Sequence, residues 1–345
     1  METKILKQTD LERGLPLAAD VIKDGGLVVF PTETVYGLGG DATNPSAANK
    51  IYSAKGRPSD NPLIIHVARP EDAEKYAYTC DAYYQLAKRF MPGPLTVVLK
   101  SKDTVPVETR GGLDTVAVRC PSNETARELI RLSGVPIAAP SANLSGSPSP
   151  TNLRHVMDDM LGRVDVIIDG GDCDIGLEST IVSCVDHGES TLLRPGKITV
   201  EELTEVLGVV RIADSVTDKL REGEVALSPG MKYRHYAPKG ELILLDGDAD
   251  CFLAFVKENL GEKTAVICYD EDIRAFSEFI RSDFVFPFGR AEDYGAHSFR
   301  LFSLLRDADK LGCERIYAPL PKKEGIGLAL YNRMIRAAAH KIIKM

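Results

Sequence analysis

Leu27-Val28-Val29-Phe30-Pro31-Thr32-Glu33-Thr34-Val35-Tyr36-Gly37-Leu38-Gly39-Gly40 decides the fold class, because a short apolar run stops at Pro31 and gives way to hydroxyls, a carboxylate and three glycines. A run this short and apolar reads as a buried strand, and ligands of open α/β sheets gather where such strands end. A plain β-turn with a satisfied Thr or Glu fits the segment as well. The alternation continues along the chain. Leu63 to Val67, Leu95 to Leu99, Thr115 to Val118, Val135 to Ala139, Val164 to Ile168 and Thr180 to Val185 read as further strands. Between them, Pro45 to Lys55 after an Asn44 cap, Ala82 to Phe90 after Asp81, and Asn123 to Leu132 after Ser122 read as helices. Residues 1–211 are therefore expected to form a mixed α/β domain.

Periodicity weakens over residues 212–240, the linker candidate, where Leu227-Ser228-Pro229-Gly230-Met231-Lys232-Tyr233-Arg234-His235-Tyr236-Ala237-Pro238 is too aromatic and basic for a passive spacer. Tyr233, Arg234, His235 and Tyr236 suggest a lid. Residues 241–345 then alternate strands (Leu242 to Leu245, Ala265 to Cys268, Phe284 to Phe286, Arg315 to Ala318) with helical stretches that include Ala291 to Leu311 and Ile326 to Lys341. Such alternation implies a smaller parallel-sheet, Rossmann-like α/β domain. No GxGxxG fingerprint opens it.

At 345 residues two domains are the prior expectation. A net charge of -8 disfavours a protein whose main work is wrapping a phosphate backbone, yet it is compatible with a locally basic nucleotide site. No basic-then-apolar leader opens the chain and no run is long enough to span a bilayer, so neither secretion nor a membrane is expected. Seven scattered cysteines without a CxxC pair read as reduced core residues of a cytoplasmic protein. HExxH and paired Cys/His spacings are missing, so no metal is expected from protein side chains. Neither a GxSxG elbow nor a P-loop is present.

Lys55-Gly56-Arg57-Pro58-Ser59-Asp60-Asn61-Pro62-Leu63 places two cations around a glycine that can end a helix in the left-handed conformation and turn them outward. A fork and a mobile point charge suit triphosphate oxygens, although cations closing a helix also serve its macrodipole. Pro140-Ser141-Ala142-Asn143-Leu144-Ser145-Gly146-Ser147 follows a strand and offers hydroxyl, amide and N–H donors, or simply a turn. Arg119 ends a strand, where it could grip a carboxylate or pair at the surface. Glu178-Ser179-Thr180 and Arg194-Pro195-Gly196 also lie at strand ends, and His66 falls inside an apolar run as a core histidine would.

In order and spacing, PTETVYGLG, KGRPSDNPL, PSANLSG, ESTIV and LRPG resemble the YrdC-like family of threonylcarbamoyl-adenylate synthases, and SPGMKYRHYAP with an α/β tail resembles its long two-domain form. The resemblance implies an open, twisted α/β sheet with a concave basic cleft marked by KxR (Lys55, Arg57) and SxN (Ser141, Asn143). It implies Lys55 and Arg57 as catalytic cations. Lys55, Arg57, Asn61, Thr115, Ser141, Asn143, Ser149, Arg194 and Tyr236 would surround ATP, and Thr34, His66, Arg119, Ala139 and Ser179 would surround L-threonine.

The implied chemistry joins threonine's amine to bicarbonate or CO2 as a carbamate, which attacks the α-phosphorus of ATP and expels pyrophosphate. Mg2+ is expected on the phosphates. The product would pass to a tRNA-modifying transferase, without requiring a direct tRNA contact. A non-catalytic RNA-binding module and a carbamoyl-adenylate-forming enzyme are the rival classes.

Overall fold

A computed structural model describes residues 2–185, 189–218 and 235–345, which divide into two compact units: residues 2–145 with 149–218, and residues 146–148 with 235–345. The first unit is built on β1 (Lys4–Leu6), β2 (Val28–Phe30), β3 (Gly37–Asp41), β4 (Ile64–His66), β5 (Ala77–Tyr78), β6 (Leu95–Ser101), β7 (Thr115–Arg119), β8 (Ile137–Ala138), β9 (Val166–Ile168), β10 (Thr180–Ser183), β11 (Ser190–Arg194) and β12 (Val210–Ile212). Their order is β1-β9-β2-β3-β8-β4-β7-β6-β10-β11-β12, with β5 beside β6, and the pairings are both parallel and antiparallel. This is the expected mixed sheet.

Helices α1 (Leu11–Lys23), α2 (Pro45–Lys55), α3 (Asp81–Phe90), α4 (Glu124–Ser133), α5 (Leu153–Met160) and α6 (Val200–Leu207) accompany it. Leu15, Ala18 and Ile22 of α1 pack with Ala126, Leu129 and Ile130 of α4 over Val28, Phe30, Ile137, Val166 and Ile168. Each large aliphatic side chain buried there contributes about 1.5–3 kcal/mol. That clamps the strands whose ends carry the polar motifs.

Strands β1, β3, β5, β11 and β12 and helices α1, α5 and α6 go beyond the elements read from the sequence. The run that becomes α1 carries Gly14 and Pro16, two helix breakers, and packing overrides them. A Cβ on Gly14 would meet Leu6 Cδ1 at 2.9 Å, so the glycine eases the close approach to β1. Glycine also hides β3. A Cβ on Gly39 would lie 2.7 Å from both Ile137 Cγ2 and Phe30 Cε1, so the residue that weakens strand propensity is the one the packing requires.

Asn44 caps α2 as expected, accepting from Ser46 N at 2.9 Å. The cap of α4 is Asn123 rather than Ser122, with Oδ1 accepting from Ala126 N at 3.0 Å. Asp81 is the first residue of α3 and not its cap.

In the second unit, β13 (Glu241–Asp246), β14 (Thr264–Cys268), β15 (Val285–Pro287), β16 (Arg315–Pro319) and β17 (Ile342–Lys344) form a sheet in the order β15-β14-β16-β13-β17, parallel at every pairing. Four of these strands coincide with the sequence reading; β17 was not foreseen. The last helix stops at Ala337, and Ala339 and His340 take positive φ (49° and 64°), a break that no glycine or proline announces.

Candidate active site

Cross-strand register assembles one half of the site. Ile137, His66, Arg119, Thr96, Ile181 and Arg194 are successive partners across β8, β4, β7, β6, β10 and β11, which lines up the C-terminal ends of β4, β7 and β11. Residues opposite one another in a sheet share a face. Ser179, two residues before Ile181, joins the row: its Oγ lies 2.7 Å from Thr96 Oγ1 and accepts from Arg194 Nη2 at 3.2 Å. Arg194 Nε also donates to Ser179 O at 3.1 Å. Gly196 lets the Arg194-Pro195-Gly196 turn press on this segment, since a Cβ there would sit 2.5 Å from Thr180 N and 2.8 Å from Glu178 O.

His66 is buried, and its Nδ1 lies 3.3 Å from Ile137 O. Burial, with the neighbouring Arg119 charge, pushes its pKa down to about 3, so the ring is neutral at physiological pH. Arg119 is also buried. Its Nη2 lies 2.8 Å from Glu33 Oε1, yet the two are off a hydrogen-bonding line, and both Glu33 carboxylate oxygens and Arg119 Nε and Nη2 have no hydrogen-bond partner. Thr34 follows Glu33, with its Oγ1 2.8 Å from Thr32 Oγ1. Ala139 lies against Gly37 and donates its N–H to Ile64 O at 2.9 Å.

The other half gathers around Lys55. Helix α2 ends at Gly56 in the left-handed region (φ 62°), as expected. The cations do not turn outward, which corrects the sequence expectation: Lys55 is 3% exposed and Arg57 8%. Lys55 Nζ donates to Ser141 O at 2.5 Å and to Asn143 O at 2.6 Å, and Ser145 N returns a bond to Lys55 O at 2.9 Å. KxR and SxN are thus in direct contact. Carbonyls in the loop after β8 thus take the ammonium inward as charge-assisted hydrogen bonds. Ser141 Oγ donates to Asn143 Oδ1 at 2.5 Å, and Asn143 Nδ2 to Leu144 O at 2.7 Å.

Arg57 folds back within its own loop, with Nη2 donating to Asn61 O at 3.2 Å and Pro62 O at 3.0 Å, while Asn61 Oδ1 is buried without a partner. The segment carrying Thr34 lies against the SxN loop: Ala142 N donates to Tyr36 O at 2.8 Å, Leu38 N to Pro140 O at 2.9 Å, and Tyr36 N to Pro150 O at 2.9 Å. Ser149 Oγ donates to Glu178 Oε1 at 2.5 Å, which ties the segment after SxN to the one bearing Ser179.

Thr115 begins the strand that Arg119 ends, about 13 Å away along β7. Tyr236 belongs to the second unit, stacked on Phe302 at 5.2 Å with Arg333 5.8 Å from its ring centre. Tyr233 and Arg234 of the suggested lid lie outside the described residues. Sequence reasoning passed over Glu33 and Thr96. Glu33 stood in a motif already singled out, whereas Thr96 looks like any strand threonine until the register is known.

Among the described residues, no group of three or more His, Cys, Asp or Glu side chains converges on a metal position, and no helix is long and apolar enough to cross a membrane. The cysteines are free thiols, but the core reading holds only for Cys120, Cys173, Cys268 and Cys313: Cys80 and Cys184 are half-buried and Cys251 is exposed.

A family model described as telomere recombination, covering Sua5, YciO and YrdC, matches residues 20–196, and one described as the threonylcarbamoyl-AMP synthase C-terminal domain matches residues 198–339. The threonylcarbamoyl-AMP synthase of Pyrococcus abyssi is 44% identical over 339 residues, 95% of this chain and 95% of its own. That of Bacillus subtilis is 41% identical, covering 95% of this chain and 93% of its own. A crystal structure of Pyrococcus abyssi Sua5 complexed with L-threonine matches all of both chains with a TM-score of 0.90 at 42% identity.

Proposed function

The chain belongs to the Sua5/YciO/YrdC family, and on that premise we propose that it makes L-threonylcarbamoyl-AMP from L-threonine, bicarbonate or CO2, and ATP, releasing pyrophosphate. The observation that carries this reading is the clasp of Lys55 on the Ser141 and Asn143 carbonyls, which joins two signatures 86 residues apart in the chain.

In this reading Arg119 takes the carboxylate of threonine, and Thr34, His66, Ala139 and Ser179 surround the rest of the amino acid. Neutral His66 adds a polar contact without a second cation beside Arg119. ATP is held by Lys55, Arg57, Asn61, Ser141, Asn143, Ser149 and Arg194, with Thr115 farther along β7. Lys55, Arg57 and Arg194 are each fixed by protein carbonyls before substrate arrives, so their charge is preorganised and needs no rearrangement when negative charge shifts on the phosphates.

The ammonium first gives one proton to solvent; the amine nitrogen then attacks the carbon of bicarbonate, a second nitrogen proton leaves with the displaced hydroxide as water, and a carbamate forms. A carbamate oxygen then attacks the α-phosphorus, the bond to the bridging oxygen breaks, and pyrophosphate departs. No covalent enzyme species is needed; the protein's contribution is proximity, charge and exclusion of water from labile species. Mg2+ would be held on the nucleotide's own oxygens, where it would offset phosphate charge.

The product would be consumed by a transferase that modifies an adenosine beside the tRNA anticodon. A cytoplasmic setting is consistent with seven free cysteines. The reading is tested by supplying the purified protein with ATP, magnesium, bicarbonate and single amino acids while following pyrophosphate. Release should depend on threonine and be weaker with serine; release indifferent to the amino acid would reject it.

A further inference from the structure

We propose that Glu33 determines specificity in the amino-acid site by receiving the ammonium group of the α-amino acid whose carboxylate goes to Arg119. The inference rests on the function proposed above and names a residue that function does not require. Its starting point is a polar pair left incomplete. Glu33 is 5% exposed and Arg119 4%, and their charges lie 2.8 Å apart. Even so, neither oxygen of the carboxylate is hydrogen-bonded, nor are Nε and Nη2 of the guanidinium. Buried ions with open valences are costly, and native proteins keep few of them without a reason.

The surroundings hold the pair in place without completing it. Ile175 N donates to Glu33 O at 2.9 Å and Gly176 N to Thr34 O at 3.1 Å, while Thr32 Oγ1 donates to Val35 O at 2.6 Å and closes the turn. The backbone carrying Glu33 is therefore pinned on both sides. Arg119 is fixed by its place at the end of β7. Cys120 and Cys173 are near enough to feel the carboxylate, but burial pushes both thiols up, Cys120 to about 12, so neither adds a charge. His66 is neutral and does not neutralise it either.

What completes such a pair is a ligand with its own opposite charges equally close together. An α-amino acid carries ammonium and carboxylate on a single carbon, so adjacent Arg and Glu side chains suit its zwitterion. A simple carboxylate would satisfy Arg119 and leave Glu33 facing a second anion. The site should thus select for an ammonium group, whose nitrogen is also the atom that reacts once it has shed a proton.

The test is titration calorimetry on the full chain with L-threonine, and with 3-hydroxybutanoate, which keeps the carboxylate and hydroxyl but lacks the amine. Threonine should bind at least about tenfold more tightly, the worth of a charge-assisted hydrogen bond. Glu33→Gln should erase most of that advantage while retaining affinity for 3-hydroxybutanoate. Equal affinity of the parent protein for both ligands, or a full advantage kept by Glu33→Gln, would overturn the proposal. Should Glu33→Gln fail to fold by circular dichroism, the parent comparison and Glu33→Asp, expected to keep a reduced advantage, decide it. Threonine that binds selectively but yields no adenylate refutes the proposed function and leaves this assignment standing; threonine that does not bind refutes both.

Discussion

Replacing Lys55 with alanine is expected to damage fold and turnover together. Lys55 is 3% exposed, and its ammonium serves two backbone carbonyls, Ser141 O at 2.5 Å and Asn143 O at 2.6 Å. Each hydrogen bond to a charged donor contributes about 1.5–3 kcal/mol, and a carbonyl left buried without a partner costs about 1–3 kcal/mol. With water refilling part of the space, Lys55→Ala should lose about 2–4 kcal/mol, a large share of the roughly 5–15 kcal/mol typical of a folded protein. Lys55→Met keeps the aliphatic stem and separates lost packing from the lost ammonium. The chain has no tryptophan, so urea unfolding would be followed by circular dichroism, alongside threonine-dependent pyrophosphate release. A Lys55→Ala protein within about 0.5 kcal/mol of the parent would show that the clasp is not structural. Parent-level turnover would remove Lys55 from the site altogether.

His66 should make stability depend on pH. Its folded pKa of about 3 lies below the ordinary 6.5, so the unfolded chain takes up a proton that the native one refuses. The stability held by the neutral ring is fully present above about pH 6.5 and is lost as pH falls toward 3. Urea unfolding from pH 7 to 4 should therefore show a steeper loss in the parent than in His66→Gln; parallel curves would contradict the assignment. Gly196→Ala would push a methyl to 2.5 Å from Thr180 N and displace Ser179 and Arg194, so a loss of about 1–3 kcal/mol and at least tenfold in turnover is expected in melting and pyrophosphate assays. Thr96→Val removes the 2.7 Å partner of Ser179 Oγ without changing the strand, and should raise the KM for threonine several-fold with little change in melting temperature.

Much of this molecule is legible in its sequence because capping and short apolar runs act locally. Asn44 and Gly56 mark both ends of α2 at the residues where the chain enters and leaves the helix. What escapes is decided by contacts between distant segments. Gly39 reads as a breaker but is a strand residue, because Phe30 and Ile137 leave no room for a side chain. Lys55 and Arg57 read as outward cations, since nothing local announces that the carbonyls of Ser141 and Asn143 will be 2.5–2.6 Å from the ammonium. Glu33 and Thr96 acquire meaning only from the register that sets Arg119 beside one and Ser179 beside the other.

The central claim is that one site couples an amino acid, an inorganic carbon and ATP. Mass analysis of the nucleotide product formed from carbon-13 bicarbonate tests it most directly. A labelled threonylcarbamoyl adenylate should appear only when threonine and ATP are both present. An unlabelled adenylate, or pyrophosphate released at the same rate without threonine, would contradict the account.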